Sequence, residues 1–209
     1  LRHDILRIAI GWFASLPPGR PGNADSRLGW AIIVGTIPVV IGGLLLKSLV
    51  EGELRAPWVI AATTIVFGLL LGWADHRASR TRQLDDIGMR EALLIGASQI
   101  LALIPGTSRS GVTITAARFL GLARQDAARF SFLLSVPVIL LASGYKGLEL
   151  ATGPDAVPWG ELAVGVFVSA VVAYLSIEFF MRFVTRIGLA PFAIYRLLLA
   201  AILVYVLAT

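Results

Sequence analysis

The sequence predicts an all-α protein, a polytopic membrane helical bundle that includes a re-entrant helix pair. Of its 209 residues, 57% are hydrophobic and 15% are charged, and the mean hydropathy is +0.82. A soluble domain carries about 25% charged residues, so this composition indicates a chain whose solvent is lipid. The apolar residues also form runs of membrane-spanning length, and one apolar region is divided by a loop rich in Pro, Gly and Ser.

Five apolar runs are long enough to cross the hydrocarbon core of a bilayer, which is about 30 Å thick. Each must be helical, because lipid offers no partner for an unpaired backbone N–H or C=O group. The predicted spans are residues 31–50, 58–74, 130–150, 161–180 and 189–207.

The divided region, residues 91–120, has two apolar halves, 91–104 and 112–120, each too short to cross a bilayer. Short apolar segments interrupted by Gly and Pro are typical of a discontinuous or re-entrant element that lines a binding site. We therefore predict that this region dips into the membrane and returns on the same side.

The placement of charge supports this topology. Arginines are concentrated in four stretches, 1–30, 75–90, 121–129 and 181–188. The two remaining loops, which hold Glu51 and Asp155, are acidic or nearly neutral. If the region 91–120 is re-entrant, all four basic stretches are cytoplasmic, as the positive-inside rule requires. The net charge of +5 therefore reflects membrane orientation, and we do not expect nucleic acid as a partner.

The loop Pro105-Gly106-Thr107-Ser108-Arg109-Ser110-Gly111 holds the candidate site. Its glycines let the backbone approach a ligand closely, and Ser108 and Ser110 are good N-cap residues for the second half-helix. A helix N-terminus presents free N–H groups and a positive dipole end, and an arginine adds a fork of donors suited to phosphate. The predicted site residues are Arg109 and Ser108 as catalytic residues and Gly106, Thr107, Ser110, Gly111, Thr113 and Gln99 as phosphate-binding residues.

Several polar residues have a plainer interpretation beside the functional one. Arg109 could snorkel to the membrane surface, but a charge near mid-membrane is costly and is by default functional. Gln99 either donates to the same site or forms a hydrogen bond between helices. We expect Arg118 to snorkel to the cytoplasmic surface. Arg196 either reaches the interface or pairs with a carboxylate such as Glu91 or Glu178.

Metal ligation by the chain is not expected. Cysteine is absent, and His3 and His76 lie far apart with no metal-ligand spacing around them.

Residues 99–113 resemble the PGxSRSxxT signature of the bacitracin-resistance family, the undecaprenyl-diphosphate phosphatases. Residues 130–137 and 191–196 are similar to further family segments, and the resemblance covers essentially the whole chain. It implies a hydrolase of the bacterial inner membrane that converts undecaprenyl diphosphate to the monophosphate on the external, periplasmic side. The product is reused as the lipid carrier for peptidoglycan synthesis, and the activity confers resistance to bacitracin.

The resemblance also implies residue roles. Ser108, Arg109, Ser110 and Thr113 would bind the diphosphate, with Arg109 stabilising charge on the transferred phosphoryl group. Ser108 has no adjacent base in the sequence, so we favour a role as a hydrogen-bond donor to phosphate over a role as the nucleophile.

The family fold is an inverted repeat in which each half is a re-entrant pair followed by three spans. On this pattern the single membrane domain 1–209 comprises the remainder of a first repeat, 1–90, with two spans, and a second repeat, 91–209. The family's other half-site, an ExxxE segment followed by a Ser-Ser-x-Gly-His stretch, has no match here. We expect that half-site, with the nucleophile or general base, upstream of Leu1.

Two other functions stay open at this stage. Broken helices that point dipole ends at an anion also occur in transporters, so a flippase for a phosphorylated lipid is an alternative. A catalytically incomplete phosphate-binding fragment is another. The expected partners are a polyprenyl diphosphate and the membrane, and a homodimer is left open. No firmly bound cofactor is expected, although a divalent cation, Mg²⁺ or Ca²⁺, could accompany the diphosphate.

Overall fold

The structure, a computed structural model, describes residues 1–17, 22–78, 82–153 and 157–208, with the side chains of Glu51 and Glu53 outside that description. Within these ranges the chain forms nine α-helices. They are α1 (Arg2–Ala14), α2 (Ala24–Leu45), α3 (Lys47–Glu51), α4 (Pro57–Arg77), α5 (Met89–Ser98), α6 (Arg109–Phe119), α7 (Arg124–Thr152), α8 (Trp159–Ile187) and α9 (Ala190–Ala208). Five of them, α2, α4, α7, α8 and α9, are long and apolar enough to cross a membrane. The predicted all-α polytopic bundle is confirmed, and Asp155 lies outside the described residues.

The predicted span bounds are wrong at the polar ends of the helices. α2 begins at Ala24, ahead of the predicted residue 31, because the Asn23 side chain caps it by accepting a 2.8 Å hydrogen bond from the Ser26 N–H. α7 begins at Arg124 and α8 ends at Ile187, so both helices extend beyond their apolar runs into basic sequence. Hydropathy marks the lipid-embedded part of a helix but not its polar end.

The sequence does not predict α1. This helix has 13 residues, too few to cross a bilayer, and it packs against α2 with Ile8 and Gly11 buried. Asp4 accepts a 2.7 Å hydrogen bond from Arg129 of α7, which ties α1 to a second helix. Its continuous apolar run, residues 8–14, is much shorter than a membrane span, and this is why a search for spans misses it.

The re-entrant pair consists of α5 and α6, and its two ends lie side by side. The Arg82 N–H donates to the Gly121 carbonyl at 3.2 Å, and the Ala123 N–H donates to the Arg82 carbonyl at 2.9 Å. The Arg82 guanidinium also pairs with Glu91 at 3.1 Å. Because a full crossing would separate these ends by about 30 Å, the re-entrant prediction is confirmed.

The Arg82–Glu91 pair, at the mouth of the re-entrant element, is an ionised contact. Backbone hydrogen bonding and the Arg82 guanidinium lower the pKa of Glu91 below its ordinary value. The carboxylate also accepts from the Gly88 N–H at 3.1 Å, which caps the start of α5.

The two half-helices have different bounds from those predicted. α5 ends at Ser98, and a short 3₁₀ turn, Leu101–Leu103, carries the chain to the loop. α6 begins at Arg109, ahead of the predicted residue 112, because Ser108 caps it. The division of the chain into repeats at residue 90 stays a prediction.

Asp75 joins four parts of the bundle at one level. Its carboxylate accepts from Arg124 at 2.5 and 2.9 Å and from the Leu189 N–H at 3.3 Å, and it lies 3.6 Å from the Arg118 Nε. The fully buried Arg118 also donates to the Leu122 carbonyl, so the prediction that it snorkels to the surface is wrong. This cluster fixes the ends of α4, α6, α7 and α9 relative to one another.

Helices α2 and α5 cross at short range at Gly35 and Gly96. A Cβ atom added to Gly96 would lie 2.0 Å from the Gly35 carbonyl oxygen. Small residues at a helix crossing let the backbones pack at short range, which is a common device in membrane proteins. The crossing places the end of α5, and hence Gln99, directly against α2.

We therefore expect Gly96→Ala to lower the free energy of unfolding by about 1–3 kcal/mol, because the added methyl group collides with backbone that cannot rotate away. Gly144→Ala in α7 is the matched control, since a Cβ there meets no atom within 4 Å. Thermal unfolding in detergent would compare the two variants. Equal stability of both would contradict the proposed packing.

Candidate anion-binding site

The loop between α5 and α6 has a backbone that its residue types dictate. Gly106 has a φ of 88°, and a Cβ there would lie 2.3 Å from the Thr63 Oγ1 and 2.5 Å from the Ile60 carbonyl oxygen. Only glycine fits such a site. Ser108 also has a positive φ, 66°, which costs on the order of 1–3 kcal/mol for a residue with a side chain. Strain of this kind persists only where the surroundings hold the loop in place.

Two threonines of α4 hold the loop. The Thr63 hydroxyl donates to the Pro105 carbonyl at 2.7 Å. The Thr64 hydroxyl lies 2.6 Å from the Ile60 carbonyl oxygen of its own helix and 3.3 Å from the Gly106 carbonyl oxygen, so its contact with the loop is the weaker one. Residues 63 and 64 lie more than 40 positions away in sequence, so local sequence patterns do not reveal this contact.

The same contact gives the depth of the loop in the bundle. Thr64 and Asp75 are eleven positions apart on the continuous helix α4. At a rise of about 1.5 Å per residue, the loop lies about 16 Å from the level of Asp75. With the level of Asp75 taken as the edge of the hydrocarbon core, which is about 30 Å thick, the loop lies near mid-depth.

The second half-helix opens directly from this loop. The Ser108 side chain caps α6 by accepting a hydrogen bond from the Gly111 N–H at 3.3 Å, as predicted. Ser110 lies in the first turn of α6 and is not the cap. The first-turn N–H groups of a helix have no intrahelical acceptor, so this end presents donors and a positive dipole end to the loop.

Arg109 is oriented by Gln99. The Arg109 Nε donates to the Gln99 Oε1 at 2.8 Å, and the fully buried Gln99 donates in turn to the Gly35 carbonyl at 3.4 Å. The Arg109 Nη2 is buried and has no hydrogen-bond partner among the described residues. Gln99 thus forms the predicted hydrogen bond between helices and also orients Arg109, whereas its direct binding of phosphate stays a prediction.

Arg196 of α9 reaches the same loop, a contact that sequence reasoning misses. Its Nη2 donates to the Gly106 carbonyl at 2.7 Å, and its Nη1 lies 3.1 Å from the place that a Cβ of Gly111 would occupy. The expected pairing with Glu91 or Glu178 is wrong, because those carboxylates pair with Arg82 and Arg182.

A sequence signal for Arg196 exists in hindsight. In α9 the buried positions are Ala193, Arg196 and Ala200, which fall at helical spacing on one face. An arginine flanked by alanines on the inward face of a spanning helix has no short path to the surface, and this pattern indicates a buried charge with a specific partner.

The two loop threonines named by the sequence differ in their surroundings. The Thr107 hydroxyl is buried with no hydrogen-bond partner among the described residues. The Thr113 hydroxyl bonds the Ser131 hydroxyl at 2.7 Å and donates to the Arg109 carbonyl at 3.0 Å. In this geometry Thr113 links α6 to α7, and its oxygen is already occupied.

A cavity of about 470 Å³ lies between the loop and helices α4, α8 and α9. Its polar lining comes chiefly from Ser108, Ser110 and Arg196, together with the glycines of the loop. Its remaining walls are largely apolar and include Leu71, Phe180, Phe192 and Leu199. Arg109, Gln99, Thr107 and Thr113 do not line it. The cavity therefore suits a molecule with one anionic end and a long apolar part.

These features define a class: an all-α polytopic membrane protein with a candidate anion site on a re-entrant loop. Residues 1–202 match the family described as Bacitracin resistance protein BacA, and the chain belongs to that family.

Relatives named undecaprenyl-diphosphatase are similar along nearly the whole chain. The protein of Teredinibacter turnerae is 54% identical over 97% of this chain and 76% of its own length. The proteins of Chromohalobacter salexigens and Saccharophagus degradans are 53% and 52% identical over 96% of this chain, and over 75% and 74% of their own lengths.

We expect Gln99→Glu to weaken the binding of inorganic phosphate roughly tenfold, because a carboxylate beside Arg109 would pair with it and compete with the anion. Calorimetric titration of phosphate into the detergent-solubilised protein would measure this. Gln125→Glu, at an exposed position of α7, adds the same charge at a distance and is expected to have little effect. Unchanged phosphate affinity in Gln99→Glu would refute the aiming role.

Proposed function

We propose that this chain hydrolyses undecaprenyl diphosphate to undecaprenyl phosphate and inorganic phosphate, with the re-entrant loop as the phosphate-binding element. The observation that carries this proposal is a strained glycine loop that contains Arg109 itself and accepts a hydrogen bond from Arg196 of α9. Neither arginine forms an ion pair with an Asp or Glu side chain of the described residues. Family membership and the names of the relatives agree with it.

The chemistry requires charge stabilisation above all. Water attacks the terminal phosphorus, the bond from that phosphorus to the bridging oxygen breaks, and the electron pair remains on the lipid-linked phosphate. The proton that the water loses passes to a phosphate oxygen of the products. The negative charge shared by the equatorial oxygens in the transition state needs donors that are already in place. Arg109, held by Gln99, and the N–H groups at the start of α6 are the donors we assign to this role.

Ser108 and Ser110 are assigned to binding. Both line the cavity at the loop, and the Ser108 hydroxyl is already engaged with the Gly111 N–H. Among the described residues, no carboxylate or imidazole forms a hydrogen bond with Ser108, so nothing there would activate it as a nucleophile. We therefore assign Ser108 as a phosphate ligand.

A divalent cation could accompany the diphosphate, and its ligands would be phosphate oxygens. Mg²⁺ and Ca²⁺ prefer carboxylate and carbonyl oxygens, whereas the loop offers guanidinium, hydroxyl and N–H groups. The described residues contain no cluster of three or more His, Asp or Glu side chains able to hold a metal. These residues do not fit a cation held by the protein.

The apolar part of the cavity would hold the first isoprene units of the lipid. Its walls from α4, α8 and α9 continue from the loop, so a tail lying there would place its diphosphate against Ser108 and Ser110. The flippase alternative gains no specific support, because the relatives carry the name of a hydrolase.

Arg109→Gln is expected to reduce kcat by about 10²–10³-fold, the usual loss when one preorganised donor to a developing anion is removed. Phosphate release from undecaprenyl diphosphate by the intact protein in detergent would measure it. Arg182→Gln is the matched control, since Arg182 is exposed on α8 and pairs only with the exposed Glu178. Full turnover in Arg109→Gln would overturn the assigned role.

We further propose that the site opens to the external side of the bacterial plasma membrane, as the family resemblance implies. The positive-inside rule places the two ends of the re-entrant pair, and with them Gln83, on the cytoplasmic side. The chain contains no cysteine, so a thiol reagent labels only the one cysteine that a substitution introduces. In intact cells, Ser108→Cys should react with a membrane-impermeant thiol reagent. Gln83→Cys, beside the basic end of the re-entrant pair, should react only after permeabilisation. The reverse pattern would place the site on the cytoplasmic side.

A further inference from the structure

Arg196 has more donors than its structural contact uses. A guanidinium carries five N–H groups. Among the described residues, that of Arg196 forms one hydrogen bond, to the Gly106 carbonyl. The Nε is buried without a partner, and the side chain as a whole is 9% exposed. An arginine held in lipid without a carboxylate is costly, so a purely structural role leaves most of that cost unmet.

The position of Arg196 relative to the cavity distinguishes it from Arg109. Arg196 lines the cavity together with Phe192 and Leu199 of its own helix, and Arg109 does not line it. Arg109 is instead directed by Gln99, on the α2 and α5 side of the loop. The two guanidinium groups therefore approach the loop from different surroundings, and only one of them lies among the apolar walls.

A diphosphate with an apolar tail changes from apolar to charged along its length, as the site does from the cavity walls to the loop. Its tail is followed first by the lipid-linked phosphate and then by the terminal phosphate. If the tail lies along the apolar walls, the first phosphate it delivers meets Arg196 and the cavity serines. The terminal phosphate then lies further on, at the side of the loop that Arg109 serves.

We propose that Arg196 is a substrate-binding residue that holds the lipid-linked phosphate, whereas Arg109 acts on the terminal phosphate. This inference rests on the proposed function for the identity of the substrate. It assigns Arg196 to the group that stays on the product, so Arg196 also binds the lipid monophosphate after the bond has broken. Arg109 contributes little to that product complex.

The test is a comparison of binding affinities in the intact protein in detergent. Farnesyl monophosphate reports on the lipid-linked phosphate, inorganic phosphate on the loop, and farnesol on the apolar walls. Arg196→Gln should weaken farnesyl monophosphate binding roughly 10–100-fold, the range for a lost charge-assisted hydrogen bond. It should leave farnesol binding unchanged and inorganic phosphate binding within about threefold. Arg109→Gln should weaken inorganic phosphate binding and leave farnesyl monophosphate binding nearly unchanged.

Two further variants separate ligand binding from support of the loop. Arg196→Lys keeps a donor for the Gly106 carbonyl but lacks the planar fork, and an intermediate loss of farnesyl monophosphate affinity is expected. Arg182→Gln, on the exposed face of α8, should behave as the unsubstituted protein does. A thermal unfolding midpoint recorded for each variant shows whether the bundle is intact.

Three results would overturn the inference. The first is unchanged farnesyl monophosphate affinity in Arg196→Gln. The second is an equal loss of farnesyl monophosphate and inorganic phosphate in that variant, which would make Arg196 a support of the loop alone. The third is a loss of farnesyl monophosphate in Arg109→Gln as large as in Arg196→Gln. Failure of the proposed function would give a different result from these three. The binding affinities would change as predicted, but the protein would release no phosphate from undecaprenyl diphosphate.

Discussion

A guanidinium held inside a bilayer must be given partners, and this requirement shapes the bundle around residues 105–111. Arg109 and Arg196 come from different helices, and among the described residues the side chain of each forms one hydrogen bond, to Gln99 and to the Gly106 carbonyl. Their remaining donors are best satisfied by an oxyanion, because no carboxylate of the described residues pairs with either. A charged group has a lower free energy in water than in hydrocarbon, so helix packing has to hold both guanidinium groups at the loop.

Three groups of contacts keep the loop there. Arg82 joins the two ends of the re-entrant pair, so the loop lies one half-helix deep and no deeper. The hydroxyls of Thr63 and Thr64 hold the loop carbonyls against α4. The Asp75 cluster fixes α4, α6, α7 and α9 at their shared end, and α9 carries Arg196 to the loop from there. Positioning is thus distributed over most of the chain, whereas the chemistry is confined to a few residues.

Much of this arrangement could be predicted from sequence because its signals are local. The spanning helices follow from apolar runs, and the re-entrant pair follows from its short halves and the Pro and Gly between them. The loop residues are contiguous, so their combined donors could be proposed as an anion site. The bounds of the helices could not be predicted, because polar residues continue a helix outside lipid as readily as they end it. α1 was missed because its apolar run is too short to be recognised as a span.

The contacts that complete the site are long-range, and sequence reasoning placed them incorrectly or not at all. Arg196 lies 90 positions from Gly106, and its alternative partners looked equally suitable until the fold brought the loop to α9. Arg118 lies near the end of its half-helix, which suggested that its side chain could reach the membrane surface. Asp75 and the Leu122 carbonyl instead hold it in the core. Burial of a long polar side chain depends on which helices surround it, and a single sequence does not contain that information.

The central claim is that the loop and its two arginines grip a diphosphate inside the membrane. An experimental structure of the intact protein with inorganic pyrophosphate tests this most directly. The account predicts an anion at residues 106–111 with guanidinium N–H donors of Arg109 and Arg196 at about 2.7–3.2 Å from its oxygens. A saturated protein with pyrophosphate bound elsewhere, or with either guanidinium turned away from the anion, would contradict it.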